Sequence, residues 1–163
     1  MNYDVLIIGA GPGGIYSAYE LTQQCPEKKV AVIEAGHALA HRHCPIDGEK
    51  VKTCIGCKTC SIMSGFGGAG AFSDGKYNIT NDFGGTLFEY IGKRQALELM
   101  RYVDEINMRY GGAGTKLYTT AGTQFKKACI QHDLHLLDAS VRHLGTDINY
   151  VVLENLYNYL KDK

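Results

Sequence analysis

Net charge is the first thing this chain lacks. Its 17 basic and 17 acidic side chains cancel, and no long run of one sign breaks the balance, so nothing in the charge pattern favours nucleic acid or an anionic membrane surface as a partner. A basic N-terminal region is missing too. Asp4 stands there instead, and the apolar stretch that follows is short and soon interrupted by glycine, so neither a signal peptide nor a membrane span is expected. No internal repeat is visible, and no shift in composition marks a linker. What remains is 163 residues at 45% hydrophobic, enough for one core and too apolar for disorder. The expected compartment is the cytoplasm.

Against this background one stretch nearly dictates a ligand. Val5-Leu6-Ile7-Ile8 reads as a strand, Gly9-Ala10-Gly11-Pro12-Gly13-Gly14 as a GxGxxG turn, Ile15 to Leu21 as a helix, and Val30-Ala31-Val32-Ile33 as a second strand ending in Glu34. In a dinucleotide-binding βαβ unit the glycines act separately. Gly9 makes the turn tight, Gly11 lets backbone approach a pyrophosphate, and Gly14 lets the helix pack on the strand. The helix N-terminus then faces the negative charge, and Gly13 beside it is a further candidate cofactor-binding residue. Glu34 follows Gly14 by 20 residues, the distance at which a carboxylate grips ribose hydroxyls. An acid there favours an unphosphorylated ribose, as in FAD or NAD, over NADP. The bland reading is a structural βαβ turn.

Six cysteines would suggest a disulfide framework in a secreted miniprotein, but a cytosolic dinucleotide protein keeps its thiols reduced. Cys54-Ile55-Gly56-Cys57-Lys58-Thr59-Cys60 is a CxxCxxC run with Cys44-Pro45 upstream, giving four thiols in one segment. Cys44, Cys54, Cys57 and Cys60 are therefore candidate metal ligands. Their spacing leans toward a [4Fe-4S] cluster, although ferredoxin sites place Cys-Pro after the run rather than before it. Zinc is the lesser alternative, because its ligands usually come from two separated CxxC pairs. Thiol redox chemistry beside a flavin and inert packing also stand. Cys25 and Cys129 are expected to be structural. His41 and His43 flank Arg42 and adjoin Cys44, as candidate extra metal ligands or neighbours of a flavin.

Ser64 to Lys76 follows, rich in glycine and carrying Phe66 and Phe72. Backbone without Cβ atoms can cradle a planar or anionic ligand, and the two aromatics argue against a solvated linker.

Together these segments, with Cys44-Pro45-Ile46 and Arg142-His143-Leu144-Gly145-Thr146-Asp147, resemble the largely uncharacterised bacterial FAD-dependent dehydrogenases over nearly the whole chain. That family is similar in turn to two-domain flavoproteins whose N-terminal βαβ unit holds the ADP half of FAD. The resemblance implies that Gly9, Gly11 and Gly14 meet the pyrophosphate and Glu34 the ribose, that Arg42 lies near the cofactor, and that Gly67, Gly68, Ala69, Gly70 and Ser73 line the flavin. Relatives of this kind continue past a helix like Asn149 to Lys161 into more strands and a substrate domain. The expectation is therefore the N-terminal part of such a protein, a fragment or a split gene product, with a separately encoded C-terminal half as a candidate partner.

Elsewhere the pattern is plainer. Arg94 to Tyr110 is an amphipathic helix with Glu98, Arg101, Asp104 and Glu105 on its charged face, ended by Gly111-Gly112-Ala113-Gly114. Thr123 to His132 predicts a helix capped by Thr123, Leu134 to Val141 a strand, and Tyr77 to Thr80 another short strand. Thr146 or Asp147 suits the cap of the last helix, leaving Arg142 and His143 free. His143 is the first candidate for a catalytic proton donor near the flavin.

The fold expectation is α/β: a three-layer, Rossmann-like FAD/NAD(P)-binding βαβ domain over 1–163, incomplete, with a Cys/Gly-rich insertion at 43–76. The function it implies is an FAD-dependent oxidoreductase acting on a small-molecule substrate or electron carrier. Two alternatives are a non-catalytic nucleotide-binding remnant and a cysteine-rich iron-sulfur or zinc electron-transfer module.

Overall fold

A computed structural model describes residues 2–163. In chain order the elements are β1 (Val5–Ile8), α1 (Pro12–Gln24), β2 (Val30–Ile33), β3 (Lys76–Ile79), α2 (Leu87–Ile91), α3 (Lys93–Asn107), β4 (Leu117–Thr119), α4 (Phe125–Gln131), β5 (Ser140–His143) and α5 (Gly145–Lys161). Two compact units divide them, one of residues 2–73 and 146–163, the other Asp74–Gly145.

In the first unit β1 and β2 pair in parallel, Val5 opposite Val30 through Ile8 opposite Ile33. The Gly9 N–H donates to the Ile33 carbonyl at 2.7 Å and extends the ladder by one rung. Pro12 opens α1 at a position where a missing N–H costs nothing, and Gly11 is its cap residue without a side-chain hydrogen bond. The helix runs about one turn further at each end than the apolar pattern predicts. It buries Ile15, Ala18 and Tyr19, the i, i+3, i+4 face. α5 buries Asn149, Val152, Leu153 and Leu156 on the same spacing, and the Tyr19 and Tyr159 rings meet at 5.7 Å.

The sheet of this unit has two strands among the described residues, fewer than a complete three-layer Rossmann-like domain. Leu6, Ile8 and Ile33 are 54%, 75% and 53% exposed, whereas parallel sheets are normally covered on both sides.

The remaining strands do not extend the parallel sheet. In the second unit they form an antiparallel one of order β3-β5-β4. The strand expected at Leu134 to Val141 is shorter and later, Ser140–His143, because Leu134 to Ala139 forms a loop that meets Thr120. Asp104 is also corrected: it is buried rather than on a solvated face, and its carboxylate takes two hydrogen bonds from Arg142, at 3.0 and 2.7 Å. Beyond α3 the chain passes through one wide turn, Met108–Gly112, where Gly111 adopts a positive φ and breaks the helix as expected. α4 begins later than predicted, so Thr123 precedes the cap position, yet its hydroxyl still accepts the Phe125 N–H at 3.4 Å. α5 already includes Gly145, which puts Thr146 and Asp147 in its first turn instead of at its cap; Asp147 there still complements the helix dipole.

Candidate functional site

The glycine turn lies at the C-terminal end of β1. A Cβ on Gly14 would stand 1.9 Å from the Gly9 carbonyl oxygen, so only glycine lets α1 start this close to the strand. Gly11 and Gly13 are different, since a Cβ on either meets nothing within 4 Å. Their side of the turn is open. First-turn N–H groups of a helix have no acceptor within it, and no side chain caps these, so they are oriented toward whatever anion enters.

Glu34 joins this turn to the glycine-rich loop. One carboxylate oxygen accepts the Ala10 N–H at 2.7 Å, and the other accepts the N–H groups of Gly36 and Gly65, each at 2.9 Å. Those backbone donors, Ala10 first, hold the carboxyl below its usual range against the opposing effect of partial burial. Gly36 and Gly65 are functional positions that the motif does not single out. A Cβ on Gly36 would be 2.5 Å from the Gly65 nitrogen, so the loop can lie against the end of β2 only if residue 36 has no side chain. The loop is then stitched in place by Phe66 N–H to the His37 carbonyl at 3.0 Å and Gly67 N–H to the Ala10 carbonyl at 2.8 Å.

Arg42, expected at the cofactor, supports the loop from within. It is 3% exposed, and its guanidinium donates to the carbonyls of Ser61 (2.8 Å), Ile62 (2.7 Å), Phe66 (2.7 Å) and Gly68 (2.9 Å). Its central carbon also lies 4.8 Å from the centre of the Phe72 ring. Burial lowers its pKa, opposed first by the charge of Glu34, and the group stays cationic. The sequence signal for this role is weak: a lone arginine reads equally well as a ligand contact.

Gly68–Phe72 forms a short 3-10 turn instead of a flexible linker. Asn149 of α5 donates to the carbonyls of Gly70 (3.1 Å) and Ala71 (3.2 Å), and the Ser73 hydroxyl closes back on Gly70 at 2.8 Å. Gly67, expected to line the flavin, is buried with its N–H on the Ala10 carbonyl, whereas Gly68 is half-buried and Ala69, Gly70 and Ser73 are exposed. A cleft of about 430 Å³ in the same unit is bordered by Ala10, Glu34, Gly36, His37, Phe66 and Tyr157.

The cysteines behave otherwise. Cys44, Cys54 and Cys57 are exposed and Cys60 half-buried, and among the described residues no group of three or more His, Cys, Asp or Glu is placed to hold a metal ion. The donor set expected for a [4Fe-4S] cluster or zinc is therefore not assembled, and His41 and His43 do not complete it. Even spacing in sequence does not by itself turn four side chains inward. Cys25 caps α1, and Cys129 lies in α4.

His143 belongs to the second unit, exposed on β5 opposite Lys76. Arg142 beside it is committed to Asp104 and to the Thr115 carbonyl at 2.6 Å, and the Asp104 hydrogen bonds raise its pKa. It is not the free cation expected from the sequence.

A parallel βαβ unit with a glycine turn, an open helix N-terminus and an acid at the end of its second strand is a dinucleotide-binding site in form. The model of the pyridine nucleotide-disulphide oxidoreductase family matches residues 3–127, and the chain belongs to that family, whose members are FAD- or NAD(P)-binding oxidoreductases. A 42-residue stretch is 50% identical to "Uncharacterized protein R188" of Acanthamoeba polyphaga mimivirus, covering 26% of this chain and 8% of that protein. No solved structure matches. No helix among the described residues is long and apolar enough to cross a membrane.

Proposed function

We propose that the first unit binds FAD by its ADP half and that the chain is the FAD-binding part of an FAD-dependent dehydrogenase of the bacterial two-domain type. The observation that carries this reading is the Glu34 carboxylate, 2.7 Å from the Ala10 N–H and so beside the open side of the glycine turn. The residues fit the group. Gly11 and Gly13 leave room for a pyrophosphate against the N-terminus of α1, and Gly9 and Gly14 hold that helix end in place. Glu34 Oε2 takes one backbone donor and keeps a lone pair for a ribose hydroxyl. Arg42 fixes the Ser61 to Gly68 backbone that borders the turn, and Gly68, Ala69, Gly70 and Ser73 offer main chain toward the flavin end.

Bound FAD would supply hydride or electron transfer between a small-molecule substrate and an electron carrier. The chain's own contribution is to bind and orient the group. His143 is a candidate proton donor in this scheme.

The experiment is a titration of the purified chain with FAD, followed by displacement with ADP. Saturable FAD binding that ADP competes away supports the reading. Binding of FMN as tight as that of FAD would contradict it, because FMN lacks the adenosine half that the turn and Glu34 hold.

A further inference from the structure

The antiparallel sheet of the second unit has two unlike faces. Tyr77, Ile79 and Arg142 share the side that packs, where Ile79 is buried and Arg142 meets Asp104. On the other side the register sets Val141 beside Tyr118 and His143 beside Lys76. Lys116, one residue before β4, continues that alternation, and its ammonium lies 4.8 Å from the centre of the Tyr118 ring. Two rows result, roughly 7 Å apart at the spacing of alternate strand residues. One carries Lys116, His143 and Lys76, all exposed. The other carries Tyr118 and Val141 and opens into a groove of about 500 Å³, whose apolar wall is completed by Phe83, Leu137 and Ala139. Phe83, Tyr118 and Leu137 are exposed there. The threonines of the groove are already engaged. The Thr120 hydroxyl donates to the Leu137 carbonyl at 2.6 Å and accepts the Ala139 N–H at 3.0 Å, and the Thr119 hydroxyl accepts the Ala121 N–H at 3.1 Å. Of the nearby acids, Asp138 pairs with Lys126 and Asp74 with Lys76, at 2.7 Å, and the charge of Asp74 also reaches His143. Among the described residues Lys116 has no ion-pair partner.

We propose that this face of the sheet binds a small aromatic carboxylate, its ring in the groove of Phe83 and Tyr118 and its carboxylate at Lys116 and His143. The groove falls within the about 300–1,000 Å³ of small-ligand sites, and with its threonines engaged it selects an apolar body. Phe83 and Tyr118 favour a ring, which can stack on them offset or meet them edge-on. The row beside the groove supplies the charged end. The Lys116 ammonium, held over Tyr118, offers N–H donors to a carboxylate, and the His143 imidazole offers at least one in either protonation state. Asp74 opposes an anion at the Lys76 end of the row, which places the carboxylate at the Lys116 end. A chain of two or three carbons between ring and carboxylate spans the two rows. All of these residues belong to the second unit, so the site does not depend on the dinucleotide reading.

The test titrates the ¹⁵N-labelled full chain, without FAD, with 3-phenylpropanoate, and then with 3-phenylpropanamide and propanoate. Saturable amide shifts should appear at Lys116 to Thr120 and at Leu137 to His143. The neutral amide should bind about tenfold more weakly than the acid, and propanoate, which has the charge but no ring, more weakly too. Lys116→Gln should bring the acid down to the affinity of the amide, while Tyr118→Ala should weaken acid and amide alike by about tenfold. Both side chains are exposed, and unchanged spectra of the unliganded variants outside the sheet would show that the fold is kept. No saturable shift in this sheet, or equal affinity for acid and amide, overturns the proposal. Shifts at the same residues on raising the protein concentration alone overturn it as well, since they would make a second copy of this chain the occupant of the face.

Discussion

The Glu34 carboxylate accepts the Ala10 N–H at 2.7 Å, linking the end of β2 to the turn that follows β1 across 24 residues of sequence. The same group holds Gly65 of the glycine loop, so one side chain joins the three backbone segments from which the site is built. A ribose hydroxyl would meet a carboxylate already oriented by its protein neighbours.

Its pH dependence follows. The folded-state pKa of Glu34 is lowered from an unfolded value near 4.5, so its stabilisation is fully present above pH 4.5 and is lost as pH falls through the lower folded value. Urea midpoints taken from pH 7 downward should show the wild type losing its advantage over Glu34→Gln in that acid window. The amide cannot accept on both sides, so the variant should be less stable at pH 7 by about 1–2 kcal/mol, given partial solvent exposure. A constant difference at all pH values would contradict this origin.

Gly11→Val separates binding from folding. Gly11 has an ordinary extended backbone with φ −73°, and a Cβ there meets nothing within 4 Å, so valine should cost only the cap preference of α1, about 1 kcal/mol. The side chain would instead fill the space assigned to the pyrophosphate. FAD retention should disappear while the urea midpoint falls only slightly.

Gly14→Ala should do the opposite. Its new Cβ would be 1.9 Å from the Gly9 carbonyl oxygen, a backbone atom that cannot swing away, and the forced shift should cost about 1–3 kcal/mol. Chemical denaturation of the two glycine variants side by side measures the contrast.

Arg42→Lys keeps the charge and removes the fork. A single ammonium cannot reach the carbonyls of Ser61, Ile62, Phe66 and Gly68 together, so the loop should lose order. Faster hydrogen exchange at Ser61 to Gly68, with a loss of about 2–3 kcal/mol for the buried carbonyls left unsatisfied, is the expected result.

In the second unit Asp104→Ala strands Arg142 among groups it cannot leave. The pair is 2.7 Å apart with side chains only 12% and 11% exposed, and breaking it should cost about 3 kcal/mol. Thermal unfolding of the variant checks this, and FAD binding by the first unit should be less affected than stability.

How much of this was legible in sequence depended on whether the signal was local. β1, α1 and β2 were readable because apolar runs, a glycine turn and Pro12 act within a few residues of themselves. The roles of Gly36 and Arg42 were not, since they depend on a distant loop folding back. Asp104 looked like a solvated charge for the same reason: its partner, Arg142, lies 38 residues away. The cysteine run misled in the other direction. Spacing that suits a cluster specifies nothing about which way the thiols point, and the segment that carries them holds Cys44, Cys54 and Cys57 on the surface.

The most direct test of the dinucleotide site is an amide chemical-shift map of the ¹⁵N-labelled chain titrated with ADP. Saturating shifts at Ala10 to Gly14, at Glu34 to Gly36 and at Gly65 to Gly68, absent in Gly11→Val, are the predicted result. No saturable shifts, or shifts confined to residues of the second unit, would contradict the account.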